Sequence, residues 1–243
     1  MSERAREGRI RALILQHEDP TPPGLIERWL VERGAEVEVF RIDLEDREVD
    51  PTRYDLLVSL GSEFAAFDDT KPFVPREARL FERAVEHDVP ILGLCFGGQL
   101  LARVLGGRVF RAEEAEIGWL PVRSKDPDLV PEGPWFQWHF DTFTVPEGAD
   151  LVAESDVGPQ AFVAGRSLGL QFHPELTLEI MDDWVRAYPH ELEAEGVPPD
   201  GLMEETRRRI GDSERMARQL FERFARDVAR LRLPARGDER AAS

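Results

Sequence analysis

Apolar and polar positions alternate between two periods along the first hundred residues. Ile10 to Gln16 is a short apolar run that reads as a strand. Thr21-Pro22-Pro23 then signals a helix start, and Leu25, Ile26, Trp29 and Leu30 recur at helical spacing until Gly34. Glu36 to Arg41 alternates as a second strand, Asp55 to Leu60 is a third apolar run, and residues 76–87 place Leu80, Phe81, Ala84 and Val85 on one helical face. Val89 to Leu94 is almost uninterrupted in its apolar character, as expected of a parallel strand covered on both faces. Leu100, Leu101 and Val104 carry a helix that stops at Gly106-Gly107. This strand-helix-strand rhythm predicts a three-layer α/β fold, with a mostly parallel sheet and helices on both faces.

From about Arg108 the pattern changes to short strands broken by Gly and Pro. Val109-Phe110, Trp119 to Val122, Phe136 to His139, and the pair Gln160 to Val163 and Leu168 to Phe172 around Gly165 predict a small, partly antiparallel β section. Past residue 176 the reading is helical again. Met216, Leu220, Phe221, Phe224, Val228 and Leu231 form one stripe from about Asp212 to Leu233, a helix expected to pack on the body or on a partner. Pro234 to Ser243 is small and polar and reads as a frayed end. With no internal repeat and no linker, the expectation is a single domain over 1–243: a core at about 10–185, a helical extension at about 186–233 and the tail.

Composition narrows the function. The 243 residues are 42% hydrophobic, enough for a sizeable core. A formal charge of −17 would repel phosphate backbones and anionic lipid surfaces, so neither nucleic acid nor membrane is an expected partner. The segment Met1 to Arg11 has no apolar stretch of a signal peptide, and no run approaches the roughly 18 apolar residues of a membrane span, so a cytoplasmic protein is expected. Cys95 is the single cysteine, which leaves it a packing or a chemical role rather than a disulfide or a thiolate metal cage.

The segment Pro90 to Gln99 gives that thiol its context. A buried strand runs straight into a helix, and Cys95 stands at the junction with Gly93 and Gly97 two residues to either side, the pattern of a nucleophile elbow. A tight turn holds the nucleophile in strained backbone and needs small flanks, while the helix beginning at Phe96 aims its amides and positive dipole end at the sulfur. An inert buried cysteine is the competing interpretation, and the two glycines weigh against it. A thiolate also needs a base. Gln171-Phe172-His173-Pro174-Glu175 offers one at a strand end, where period-two alternation puts His173 and Glu175 on one face, so that the carboxylate orients the imidazole. An oxyanion donor opposite the Phe96 amide is expected from Gly61, in the loop Ser59 to Glu63. His139 with Asp141 makes at most half a metal site and reads better as a pocket wall; no metal or cofactor is expected. His17-Glu18-Asp19 reads as a loop at the end of the first strand, with room for a minor substrate contact.

Four segments together resemble the class I glutamine amidotransferases: Gly93 to Gln99, Glu116-Ile117-Gly118-Trp119, Trp138-His139-Phe140-Asp141, and Gln171 to Glu175. The similarity spans roughly residues 10–185 and is strongest to glutaminase domains of the GMP synthetase kind. It implies a flavodoxin-like sheet and glutamine hydrolysis through a γ-glutamyl thioester, with Cys95 as nucleophile, His173 as base and Glu175 behind it. It also implies the amides of Phe96 and Gly61 as oxyanion donors, and Gln99 with the backbone of Phe140 and Asp141 as contacts to the bound glutamine. Two departures stand out: Leu60-Gly61-Ser62 replaces the usual Gly-Gly-Pro, and Phe140 replaces a small residue. No P-loop or synthetase segment follows, so a separate synthetase or acceptor protein is the implied partner. Two alternatives stay open: a γ-glutamyl peptide or γ-glutamyl amine hydrolase using the same three residues, and a non-catalytic binding module.

Overall fold

The computed structural model describes residues 9–233. Its main sheet has eight strands, in the spatial order Glu36–Arg41, Arg11–Gln16, Leu56–Ser59, Ile91–Leu94, Ser167–Leu170, Pro159–Ala164, Asp150–Glu154 and Arg123–Ser124. Strands β1 (Arg11–Gln16), β2 (Glu36–Arg41), β3 (Leu56–Ser59), β4 (Ile91–Leu94) and β10 (Ser167–Leu170) run parallel to one another. Strands β9 (Pro159–Ala164), β8 (Asp150–Glu154) and β6 (Arg123–Ser124) extend that sheet in antiparallel fashion. Helices α1 (Gly24–Glu32), α2 (Phe73–Glu86) and α3 (Phe96–Val104) are the crossovers. Period-two alternation in β1 shows why the sheet is sandwiched: Ala12 and Ile14 enter one core with α1, whereas Leu13 and Leu15 enter a second core with α2 and α3. The expected mixed sheet with helices on both faces is what the chain forms.

The second half departs in detail. The two short strands expected at Val109-Phe110 and Trp119 to Val122 belong largely to one strand, β5 (Val109–Leu120), paired with β7 (Trp135–Phe143) in a separate antiparallel sheet. The register shifts between Arg111 and Glu116, and Arg111, Glu113 and Glu114 are exposed there, so no apolar alternation marks the middle of the strand. Strand β10 ends at Leu170 rather than Phe172, so Gln171 to Thr177 leave the sheet as irregular chain.

Helices α4 (Leu178–Ala187), α5 (Pro189–Ala194) and α6 (Pro199–Arg223) follow. The last starts thirteen residues earlier than expected and passes into a π-turn at Phe224–Val228, so Leu231 lies beyond the helix. Its apolar stripe packs on the body: Leu220, Phe221 and Phe224 are buried in the core that also holds Trp29 and Leu30. A third core joins the small sheet to the C-terminal helices through Trp119, Phe136, Trp138, Trp184 and Leu202. Among the described residues no helix is long and apolar enough to cross a membrane. The expected frayed tail lies outside the described residues.

Candidate active site

The parallel strands end along one edge, and the candidate residues meet there. Between β4 and α3 the chain turns so tightly that Cys95 takes φ 49° and ψ −104°, a strained conformation for a side chain that is not glycine. The flanks must be bare: a methyl group on Gly93 would lie 2.4 Å from the Gly97 carbonyl oxygen, and one on Gly97 would lie 2.5 Å from the Ser59 carbonyl oxygen. The Cys95 amide donates to the Leu170 carbonyl (2.8 Å) and the Gly97 amide to the Leu60 carbonyl (3.2 Å), tying the turn to the ends of β10 and β3. Cys95 is 6% exposed, open only toward the cavity that it lines.

His173 is carried by the irregular segment after β10, its amide donating to the Phe136 carbonyl (3.0 Å). The expected strand alternation does not pair it with Glu175, because the strand has already ended at Leu170; a turn does. Leu25 donates its amide to the Glu175 carbonyl (2.9 Å), and Gly24 passes so close that a Cβ there would stand 2.3 Å from that oxygen. The result is a buried pair in which His173 Nδ1 donates to Glu175 Oε1 at 2.7 Å. That bond fixes the tautomer and leaves Nε2 for the sulfur. Burial alone would depress the imidazole, but the Glu175 carboxylate and the neighbouring Cys95 outweigh it and push the pKa of His173 up to about 10. Trp184 stands edge-on to the imidazole at 4.7 Å between ring centres.

Gly61 completes the group: a methyl there would lie 3.0 Å from His173 Cε1 and 3.8 Å from Cys95 Cβ, so thiol, imidazole and loop are mutual neighbours. Gln99, one turn into α3, donates Nε2 to the Asp141 carbonyl (3.1 Å) and to Gln171 Oε1 (3.2 Å). Asp141 lies near Arg111 (3.8 Å), whose guanidinium covers the Phe140 ring. Burial raises the Asp141 pKa, with Arg111 and His139 opposing. His139 is a wall residue, as expected: Nδ1 donates to the Asp141 carbonyl (3.0 Å) and Nε2 sits 3.1 Å from Glu116. Cys95, Gly61, Gln99, Phe140, Asp141 and His173 all line a cavity of about 400 Å³ that runs on to Trp138, Trp184, Tyr188 and Glu191. Phe96 is buried behind it.

Three residues escaped the sequence reading. Gln171 points its side-chain amide at the Cys95 sulfur (3.6 Å), a dipole that favours negative charge there. His17, assigned to an ordinary loop, is fully buried with Glu77 of α2 directly beneath the Gly61 turn. Glu77 was findable, because it is a carboxylate on the apolar face formed by Val74, Leu80, Phe81 and Ala84.

A strained cysteine at a strand-helix turn and a carboxylate-braced histidine thus line one cavity of an α/β protein with a mostly parallel sheet. The chain belongs to the class I glutamine amidotransferase family, whose model matches residues 24–185. It is 34% identical over 218 residues to a glutamine-hydrolysing GMP synthase of Thermus thermophilus, covering 82% of this chain and 39% of that protein. The chain thus spans about two-fifths of that relative. A solved glutamine amidotransferase of Thermotoga maritima superposes with a TM-score of 0.82 at 33% identity, covering 90% of this chain and 99% of the other. A second, from Methylobacillus flagellatus, gives 0.84 at 26% identity over 94% and 98%.

Proposed function

We propose that this chain hydrolyses the side-chain amide of glutamine through a γ-glutamyl thioester on Cys95. For attack, His173 takes the proton of the Cys95 thiol. The sulfur attacks the amide carbon, and the oxyanion is met by the amides of Phe96 and Gly61. Collapse of the adduct breaks the C–N bond, and ammonia leaves with the proton supplied by His173. Water gives a proton to His173 as it attacks the thioester carbon; the C–S bond breaks, and His173 returns that proton to the sulfur, leaving glutamate and the thiol. Glu175 holds the imidazole in place throughout, and the Gln171 amide, 3.6 Å from the sulfur, offsets the charge that develops there as it attacks. Gln99 and the Phe140–Asp141 backbone receive the amino-acid end. One observation carries this reading: a Cβ added at Gly61 would stand 3.0 Å from His173 Cε1 and 3.8 Å from Cys95 Cβ, so the residues read as nucleophile, base and oxyanion loop share one corner of one cavity.

The test is glutamate release from glutamine by the wild type and by Cys95→Ala. Activity surviving in Cys95→Ala would defeat the reading. The ammonia would pass to a separate acceptor protein, a role suggested by relatives named as GMP synthases, of which this chain spans a minority. A second reading is favoured by the cavity itself. Trp138, Trp184 and Tyr188 line it together with Cys95 and Gln99, room that ammonia would not need. A γ-glutamyl peptide or amine would use it with the same chemistry, and γ-glutamyl dipeptides belong in the same assay.

A further inference from the structure

Behind the Gly61 turn lies a buried polar relay that the hydrolytic chemistry does not itself require. Ser59 Oγ donates to Glu77 Oε1 (2.6 Å), His17 Nε2 meets Glu77 Oε2 (2.8 Å), and His17 Nδ1 donates to the Gly61 carbonyl (3.0 Å). The His17 and Glu77 side chains have no solvent exposure. The same imidazole packs on the Phe96 ring at 4.6 Å between centres and on Phe73 at 5.5 Å. One side chain therefore touches both residues whose amides are assigned to the oxyanion. Two buried ionisable groups are costly to keep in an apolar core, and their retention needs a reason beyond packing.

The backbone supplies one. Gly61 sits between two peptide planes. The plane before it is held by the Gly97 amide donating to the Leu60 carbonyl (3.2 Å), and the plane after it by His17 donating to the Gly61 carbonyl. A trans peptide sets its N–H opposite its C=O, so anchoring the Leu60 carbonyl on α3 turns the Gly61 N–H away from that anchor. Glycine is free to rotate on both sides, and only the two anchors together fix where that N–H points. A carbonyl can only accept, so Nδ1 of His17 must carry a proton, and the Glu77 contact at Nε2 keeps the ring in that orientation.

We propose that His17, held by Glu77 and Ser59, is the positioning residue that aims the Gly61 amide at the oxyanion; it touches no substrate. The inference rests on the hydrolytic reading above. Its test uses the fact that asparagine places an amide N–H near the position of Nδ1 and glutamine near that of Nε2. Both are made with Glu77→Gln, which avoids stranding a buried charge, and melts establish that each variant folds. His17→Asn/Glu77→Gln keeps a donor for Gly61; His17→Gln/Glu77→Gln loses it. Losing an oxyanion donor outright costs about 10²–10³ in kcat, so a misaimed one is expected to lower kcat of the Gln variant about tenfold or more below the Asn variant. KM and the rate of Cys95 alkylation by iodoacetamide, which forms no oxyanion, should match between the two. Equal kcat values overturn the proposal, as does a loss shared by kcat, KM and alkylation, which would mark general damage. Independent of any variant, the His17 Nδ1 proton in ¹⁵N spectra of the wild type should be present and slow to exchange; an unprotonated Nδ1 overturns it. A wild type inert toward glutamine and γ-glutamyl dipeptides would bring down the hydrolytic reading and this inference together, whereas an active wild type with indistinguishable double variants brings down this inference alone.

Discussion

Gly93→Ala is the sharpest test of how the nucleophile is held. The added methyl would lie 2.4 Å from the Gly97 carbonyl oxygen, 2.5 Å from the Gly97 carbonyl carbon and 2.6 Å from the Gly98 nitrogen, all backbone atoms of the first turn of α3. Ordinary contact for such pairs is about 3.5 Å or more, so about 1 Å of displacement must be absorbed by β4, which is buried and paired on both sides, or by the start of α3. Overpacking of this kind costs about 1–3 kcal/mol, which a chain of this size is expected to survive folded. The consequence for turnover is larger, because a misplacement of about 1 Å in a reacting constellation costs on the order of a hundredfold. The assay is kcat for glutamate release beside a thermal melt, with Gly106→Ala as control. Gly106 has φ 91° and open space around its missing side chain, so its substitution strains the backbone far from the cavity and should lower stability with kcat maintained. A folded Gly93→Ala with kcat within about threefold of wild type would refute the view that the tight turn sets the geometry of attack.

His173→Gln should lower kcat by about a thousandfold or more, since nucleophile and base act as a unit, with Glu175→Gln milder; an unaltered rate would point to another base. His173 has its pKa raised to about 10, so its contribution to stability is complete below its unfolded value of about 6.5 and is withdrawn as pH rises toward 10; the Tm gap between wild type and His173→Gln should narrow over that window, and a widening gap would contradict the sign. Phe221→Ala empties a fully buried site against Trp29 (5.7 Å between ring centres) and should cost about 3–5 kcal/mol in chemical denaturation, a loss under 1 kcal/mol being evidence that α6 is not part of the main core.

Much of the fold was legible because the parallel half obeys simple periods. Strands β1, β3 and β4 are apolar on both faces since both faces are covered, and α1 shows its buried residues at helical spacing. The elbow was legible because a steric demand writes itself as glycines at fixed offsets from Cys95. The pairing of His173 with Glu175 was found through an inapplicable rule: both residues lie past the end of β10, and the turn that joins them is stabilised by Leu25 and Gly24 from α1. Long-range support of that sort leaves no local trace. The extent of β5 was hidden for a different reason, since its middle residues face solvent on both sides of a register shift. His17 and Gln171 could be ranked only once Glu77 and Cys95 were known to lie against them, contacts spanning 60 and 76 residues of chain.

Two networks of buried polar residues stand behind the cavity walls with different duties. Behind the oxyanion side, Ser59, Glu77 and His17 end on the Gly61 carbonyl. Behind the amino-acid side, Glu116 Oε2 accepts from Gln160 Nε2 (2.7 Å) and Ser155 Oγ (3.1 Å) and stands 3.1 Å from His139, which in turn donates to the Asp141 carbonyl. The second network joins the two sheets, since Gln160 belongs to β9 and Glu116 and His139 to β5 and β7. Each network fixes a backbone carbonyl rather than reaching into the cavity with its charge. An apolar core could fill the same volume more cheaply, but it could not hold a particular peptide plane at a particular angle. Under the proposed chemistry the Gly61 carbonyl belongs to the loop beside the forming oxyanion and the Asp141 carbonyl to the strand that receives the bound amino acid. Damage to the first network should therefore appear in kcat and damage to the second in KM, because only the first set of contacts strengthens as the tetrahedral adduct forms.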